Sequence, residues 1–229
     1  MKKLFFAVLS MAVVSVHAQS ADAVIQKYTA NMGGLEAFNK ITSAKLTGTV
    51  TAQGTDLPLT QQIINGKAMR SDVEAMGQSI VNCYNNGKGW KLNPFQGAST
   101  PTEVTGTELN DFKIQSSLAS ALMDYKARGH QVEMLGEETV EGIRTFKIKL
   151  TSKDDGRVTT YFLSIANYTL IKSATNRTIQ GKDMEVESWY SDLKENGGVK
   201  FFMTRSSRID GQEFQAIKYE KIELNLPVD

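Results

Sequence analysis

The sequence predicts an α+β protein: one strongly curved antiparallel sheet of about 11–12 strands, with helices laid against one face. Three observations carry this. Between Ile143 and Leu224, β-branched and aromatic runs alternate with the turn signals Asp154-Asp155-Gly156, Gly181-Lys182, Asn196-Gly197-Gly198 and Asp210-Gly211. Their spacing leaves no room for crossover helices, so neighbours must run antiparallel. A second strand array of the same kind spans Leu46 to Leu92. Between the two arrays the apolar period changes from 2 to about 3.6, which marks a helix.

Taken in order, the chain opens with a lysine pair, Lys2-Lys3, an apolar run from Leu4 to Val16, and the small-residue site Val16-His17-Ala18. This is the pattern of an export signal, expected to be cleaved after Ala18, and the apolar run is too short to span a membrane. Cleavage would leave roughly 210 residues, the size of a single domain, from residue 19 to 229. The signal implies a bacterial periplasmic location, and no later apolar run approaches the length of a span. Ser20 is placed to cap a first helix carrying Val24, Ile25, Tyr28 and Met32 at helical spacing, ended by Gly33-Gly34. Leu35 to Ile41 forms a second short helical piece.

Five strands follow. Leu46, Gly48, Val50 and Ala52 alternate with threonines; Leu57–Ile64 contains Pro58, a residue of strand starts and edges. Ala68–Glu74, Ser79–Tyr84 and Gly89–Leu92 complete the array, and residues 95–106 read as a loop. Thr105 with Glu108 three residues on is a capping-box pattern. Leu109, Phe112, Leu118, Leu122 and Tyr125 then predict a long helix, with or without a break near residues 114–117, closed by Gly129. Seven strands follow from Val132. An even-length loop at Asp154-Asp155-Gly156 puts Phe146, Ile148 and Leu150 on one face with Tyr161, Leu163 and Ile165. In the last strand Ile217 and Tyr219 are apolar at odd positions but Ile222 and Leu224 at even ones, so a bulge is expected near Glu220-Lys221.

Little catalytic chemistry is on offer. The net charge is +1 at pH 7, which gives no case for nucleic acid or an anionic membrane as partner. His130 is the only histidine after residue 17, and its place beside Gly129 suits a polar ring at a helix-to-strand joint. Cys83 is the only cysteine, in a strand-like run, and reads as a small apolar filler. Glu137-Glu138 and Asp154-Asp155 are sequence neighbours, which point to opposite faces of a strand rather than across a cleft, so they read as turn and surface acids. No metal or nucleotide motif occurs and no cofactor is expected. The remaining resource is apolar: methionines and Trp90 and Trp189, suited to a core or to a surface that accepts flexible chains.

Several stretches together resemble the outer-membrane lipoprotein-sorting (LolA-like) family, in its Bacteroidetes-type branch. They are Tyr28 through Gly33-Gly34-Leu35-Glu36-Ala37, the run Tyr84–Phe95, Asp124-Tyr125-Lys126 with Gly129-His130, Leu135-Gly136-Glu137-Glu138 with Gly142, Tyr161-Phe162-Leu163 leading to Leu170-Ile171-Lys172, and Glu223-Leu224-Asn225. The resemblance covers residues 22–229. It implies an incomplete antiparallel barrel whose helices cover the concave face, and an apolar cavity that shields acyl chains in transit. The expectation is therefore a monomeric, non-enzymatic carrier of lipidated protein or lipid acyl chains, working between membrane-bound donor and acceptor proteins. The lid residues expected to meet cargo are Leu109, Phe112, Leu118 and Leu122; the sheet residues facing them are Phe146, Ile148, Leu150, Tyr161 and Leu163; Trp90 is expected near the mouth. A periplasmic interaction module of the same fold with a filled core is the alternative, and a hydrolase the remotest.

Overall fold

The computed structural model describes residues 19–179 and 182–227. The expected export signal, residues 1–18, lies outside them, as does Gly181 of the expected turn at Gly181-Lys182. Two helices come first, α1 (Ala21–Asn31) and α2 (Leu35–Lys40). Six strands follow: β1 (Ser43–Ala52), β2 (Thr55–Ile64), β3 (Ala68–Ala75), β4 (Gln78–Asn85), β5 (Lys88–Leu92) and β6 (Thr102–Val104). Helix α3 (Gly106–Gln115) leads to β7 (Gln131–Val140), β8 (Ile143–Thr151), β9 (Val158–Ser164), β10 (Leu170–Ile179), β11 (Lys182–Asn196), β12 (Val199–Ile209) and β13 (Gln212–Leu224).

All thirteen strands form one curved, open antiparallel sheet in the order β6-β5-β4-β3-β2-β1-β13-β12-β11-β10-β9-β8-β7. Each meander is local in sequence; among the described strand pairs only β1 with β13 joins distant parts of the chain. At that seam Thr47 pairs with Lys221 and Gly48 with Tyr219, so Glu220 is the extra residue of a bulge where the phase slip places one. The bulge brings Ile217 and Ile222 onto the same face, opposite Val50 and Leu46. A side chain at Gly48 would not fit there: its Cβ would lie 2.1 Å from the Lys218 carbonyl oxygen.

Three readings change. What reads as a loop at 95–106 contains β6, which pairs with β5 and brings the count to thirteen. The long helix stops at Gln115, and residues 116–130 continue as successive turns. The physical reason is local. Ser116 turns its hydroxyl back onto the Lys113 carbonyl at 2.7 Å, and the β2–β3 turn takes over the helix end: Gly66 N–H donates to the Ser116 carbonyl at 2.8 Å and Leu118 N–H to Asn65 Oδ1 at 3.0 Å. Thr105 occupies the N-cap position without a side-chain cap bond; Glu108 pairs with Lys91 at 2.8 Å instead of reaching back.

Pro58 sits in β2 at a point where β1 is paired but the β3 ladder has ended, so its missing N–H leaves no gap. At the N-terminus Ser20 Oγ accepts from Ala23 N–H at 3.2 Å. Helix α1 buries Val24, Ile25 and Tyr28 and ends against the β11–β12 hairpin, where Lys200 N–H donates to the Met32 carbonyl at 2.9 Å. No helix among the described residues is long and apolar enough to cross a membrane.

Gly48→Ala should force the β1–β13 seam apart and cost about 1–3 kcal/mol, as overpacking does. Urea unfolding monitored by circular dichroism reads this as a lower midpoint; an unchanged midpoint would mean that the seam relaxes freely.

Candidate ligand-binding interior

Strand alternation sorts the side chains into two faces. On β4 and β5, Tyr84 and Gly89 point to the helix-covered face, and Cys83 and Trp90 point away. Gly89 makes room for α3: its ideal Cβ would stand 2.8 Å from Leu109 Cδ1 and 3.4 Å from Phe112 Cδ2. Phe112 packs with Leu46, Ile63, Met69, Tyr84 and Val104, and Leu109 leans on the same cluster. Farther round the sheet, Phe146 pairs with Leu163 and Ile148 with Tyr161 across β8 and β9, as parity requires. These residues, with Leu150, Leu122 and helix α1, form a second cluster in which Leu122, Ile148 and Leu163 have no exposed surface. Leu118 touches both clusters.

Nine of the ten expected lining residues thus lie on the helix-covered face. Trp90 does not. Because Gly89 takes the inner position, its neighbour Trp90 must face out, in a row with Cys83 and Arg70. There it lines an open outer groove of about 540 Å³ with Val81, Leu92 and Pro101. Cys83 is half-buried in this groove, and burial pushes its thiol up although Arg70 pulls the other way.

The covering segment is tied down by charge. Asp111 on α3 pairs with Arg157 of the β8–β9 loop and, at 2.7 Å, with Arg177 of β10. Arg157 also holds Asp155 at 2.9 Å and the Thr107 carbonyl at 3.2 Å, Lys113 pairs with Asp154 at 2.7 Å, and Asn110 donates to Asp155 at 3.3 Å. Asp154 is the exposed turn acid expected and Asp155 is half-buried in the same turn, and both also tie α3 to it. Burial works against the Asp155 carboxylate; hydrogen bonds from Ser152 and the Arg157 N–H, with the Arg157 charge, outweigh it and hold its carboxyl below the usual range. His130 accepts from Lys153 N–H through Nδ1 at 3.1 Å, and burial lowers its pKa.

Polar groups also stand inside. Tyr28 and Ser120 hydroxyls meet at 3.4 Å, and Ser173 and Tyr190 hydroxyls at 3.2 Å. Burial pushes the Tyr28 phenol up to about 12 and raises Tyr161 as well.

No family model matches the chain, and no curated protein does. Solved structures do. A LolA superfamily protein from Nitrosomonas europaea superposes with a TM-score of 0.59 at 12% identity, covering 92% of this chain and 96% of its own.

The fold is LolA-like.

A domain described as an outer-membrane lipoprotein-sorting protein from Vibrio parahaemolyticus gives a TM-score of 0.59 at 10% identity over 92% of this chain and 94% of that one. A DUF1329 family protein from Desulfovibrio piger gives 0.58 at 11% over 91% and 95%. Against this LolA-like frame the sequence missed Asp111, Arg157 and Arg177. Arg157 directly follows a turn motif and Asp111 stands among lid residues, so their pairing is visible only once α3 is laid across the sheet.

Asp111→Asn leaves Arg157 without its shared partner and should destabilise the protein by about 1–3 kcal/mol. Hydrogen exchange should speed up in residues 106–115 before it does in the sheet. Equal protection in both would mean that α3 is not held by this pair. The His130 contact gives a second test. Its lowered folded pKa makes its contribution complete above the ordinary value near ~6.5 and progressively lost as pH falls from there through the folded value. Exchange protection of the Lys153 amide should therefore fall on acidification from neutrality. A flat profile down to pH about 5 would show that the ring is not responsible.

Proposed function

We propose that this protein is a non-catalytic periplasmic carrier of lipidated protein or of other amphiphilic cargo, its acyl chains held between the curved sheet and the segment 106–130. The observation that carries this is the mismatch between interior and rim. Beneath α3 lies an apolar cluster of Leu46, Ile63, Met69, Tyr84, Val104 and Phe112, continued through Leu118 to the cluster of Leu122, Ile148 and Leu163. The rim that keeps α3 over it is a set of ion pairs and hydrogen bonds around Asp111 and Asp155. Arg157, Asp111 and Asp155 are mostly covered by protein, so these pairs fix where α3 lies while Leu109 and Phe112 supply its apolar contact.

Energetics require such a lid. Burying an acyl chain is worth about 0.8 kcal/mol per CH₂, so a chain of fourteen carbons gains on the order of 11 kcal/mol. Release on a useful timescale needs that gain offset, and displacing Leu109, Phe112, Leu118 and Leu122 from the sheet supplies the offset. Phe146, Ile148, Leu150, Tyr161 and Leu163 would then contact cargo; Trp90 on the opposite face would not. The solved relatives, one described as a lipoprotein-sorting domain, support the same class of task. The Bacteroidetes-type branch, a monomeric state and membrane-bound donor and acceptor proteins complete the reading. The burial of Leu122, Ile148 and Leu163 favours one alternative, an assembly module of the same fold with a filled core.

Native mass spectrometry of the protein purified from a bacterial periplasm without detergent separates the two. A co-purifying lipid or lipopeptide is expected. A clean apo mass, unchanged on adding lipopeptide, would sink the carrier in favour of the module. Leu118→Glu, placed where the two apolar clusters meet, should lower lipopeptide affinity about tenfold while the fold persists; retained affinity would remove residues 106–130 from the binding site.

A further inference from the structure

The chain has seven arginines, all among the described residues. Six are neutralised: Arg70 by Asp72, Arg128 by Asp124, Arg144 by Glu137, Arg157 and Arg177 by Asp111, and Arg208 by Glu141. The seventh, Arg205 of β12, has no acidic partner among the described residues.

Its position is not the surface. Arg205 pairs with Tyr190 on one side and with Ile217 on the other. Ile217 pairs with Val50, on the β1 face that carries Ala44 and Leu46 into the cluster beneath α3. Tyr190 packs against the cluster beneath α1. Both neighbours put Arg205 on the helix-covered face, near the centre of the sheet, half-buried. Phenols flank it. Tyr190 is hydrogen-bonded to Ser173, and Tyr219 donates to Gln61 at 3.0 Å. Tyr219 is close enough to sense the guanidinium: burial pushes its phenol up and Arg205 pulls it back. One strand pair farther on, Tyr161 stands opposite Ser173, nine-tenths buried, with no hydrogen-bond partner for its hydroxyl among the described residues.

A guanidinium on an apolar inner face carries a desolvation cost that the protein elsewhere offsets with a carboxylate. Here the fold supplies hydroxyl donors around the charge and no anion. Five fixed N–H donors in a planar fork match the oxygens of a carboxylate or phosphate.

We propose that Arg205 receives the anionic head of the amphiphile, a carboxylate or a phosphate, while the apolar interior takes its chain. This rests on the carrier reading and narrows its cargo to anionic amphiphiles. The charge near the middle of the sheet then orients the cargo: the head lies between the two apolar clusters and the chain runs under one of them.

Three probes with the same oleyl-length chain test it by calorimetry: oleate, oleoyl-glycerol phosphate and oleyl alcohol. The wild-type protein should bind at least one of the anions about tenfold or more tightly than the alcohol. Arg205→Met should bring that anion down to the alcohol's affinity and leave the alcohol within about twofold. Arg205→Lys should keep most of the preference, which guards against a fold defect in the Met variant. The anion with the larger preference names the head group. Equal binding of all three probes, or an Arg205→Met variant that keeps its preference for the anion, overturns the assignment and leaves the carrier standing. Failure of all three to bind the wild type overturns both. Inorganic phosphate at millimolar concentration should not displace the bound anion; displacement would overturn the amphiphile in favour of a free oxyanion.

Discussion

Everything in this molecule depends on the pairing of β1 with β13. Each strand apart from that pair finds its partner in the next hairpin, so the chain builds two meanders, β1 to β6 and β7 to β13. Neither meander has a second layer wide enough to cover it. The seam between residues 44–52 and 215–224 turns two curved ribbons into one sheet, and only then do α1 and α3 share a floor. The seam is also the contact with the greatest separation in sequence, and loop-closure entropy makes such contacts slow to form. Its geometry is correspondingly exact in its needs: one extra residue at Glu220, and no side chain at Gly48.

The two faces of the sheet are stabilised differently. The inner face is apolar near the centre, with hydroxyls and Arg205 set into it, and Lys91 and Arg177 on it pair with α3. The outer face carries a ladder of aromatic rings and cations. Lys172 lies 4.7 Å from the centroid of Phe162 and 5.3 Å from that of Trp189, and Arg208 lies 4.5 Å from Trp189. Glu187 accepts from both Lys172 and the Trp189 Nε1–H. Long cationic stems over rings cover apolar surface while their heads stay wet. A sheet with this outer coat does not need a helix on its second side.

Much of the fold is legible in the sequence because a strand's period is short and local. The alternation at Phe146, Ile148 and Leu150, the hairpin punctuation, and even the bulge at Glu220 follow from parity alone. What parity cannot supply is where a non-repeating segment ends. Leu118 and Leu122 continue a helical period, yet the helix stops at Gln115 because Asn65 and Gly66, fifty residues earlier, take its last hydrogen bonds. Three-residue β6 is invisible for a related reason: Thr-Glu-Val among Pro, Ser and Thr carries no pattern of its own and becomes a strand because β5 offers it an edge. The apolar lining was readable as composition. Trp90 faces outward because its neighbour Gly89, a residue with no pattern of its own, takes the inner position against Leu109 and Phe112 of α3. The charges at Asp111 and Arg157 acquire meaning only once α3 is laid across the sheet, and that at Arg205 only from its cross-strand neighbours.

The strand order has one more consequence. The free edges of the open sheet are β6 and β7, and they are consecutive in the chain. The segment that joins them, through α3 and the turns that follow, is the same one that covers the interior. It therefore ties the two free edges together as a drawstring does. Spreading the edges and lifting the cover are one motion, because the same 26 or so residues, each reaching at most about 3.6 Å, must span whatever gap opens. The widest gape of the sheet is thus limited by the length of its own cover, and an insertion between residues 116 and 130 would loosen the mouth without altering a single strand.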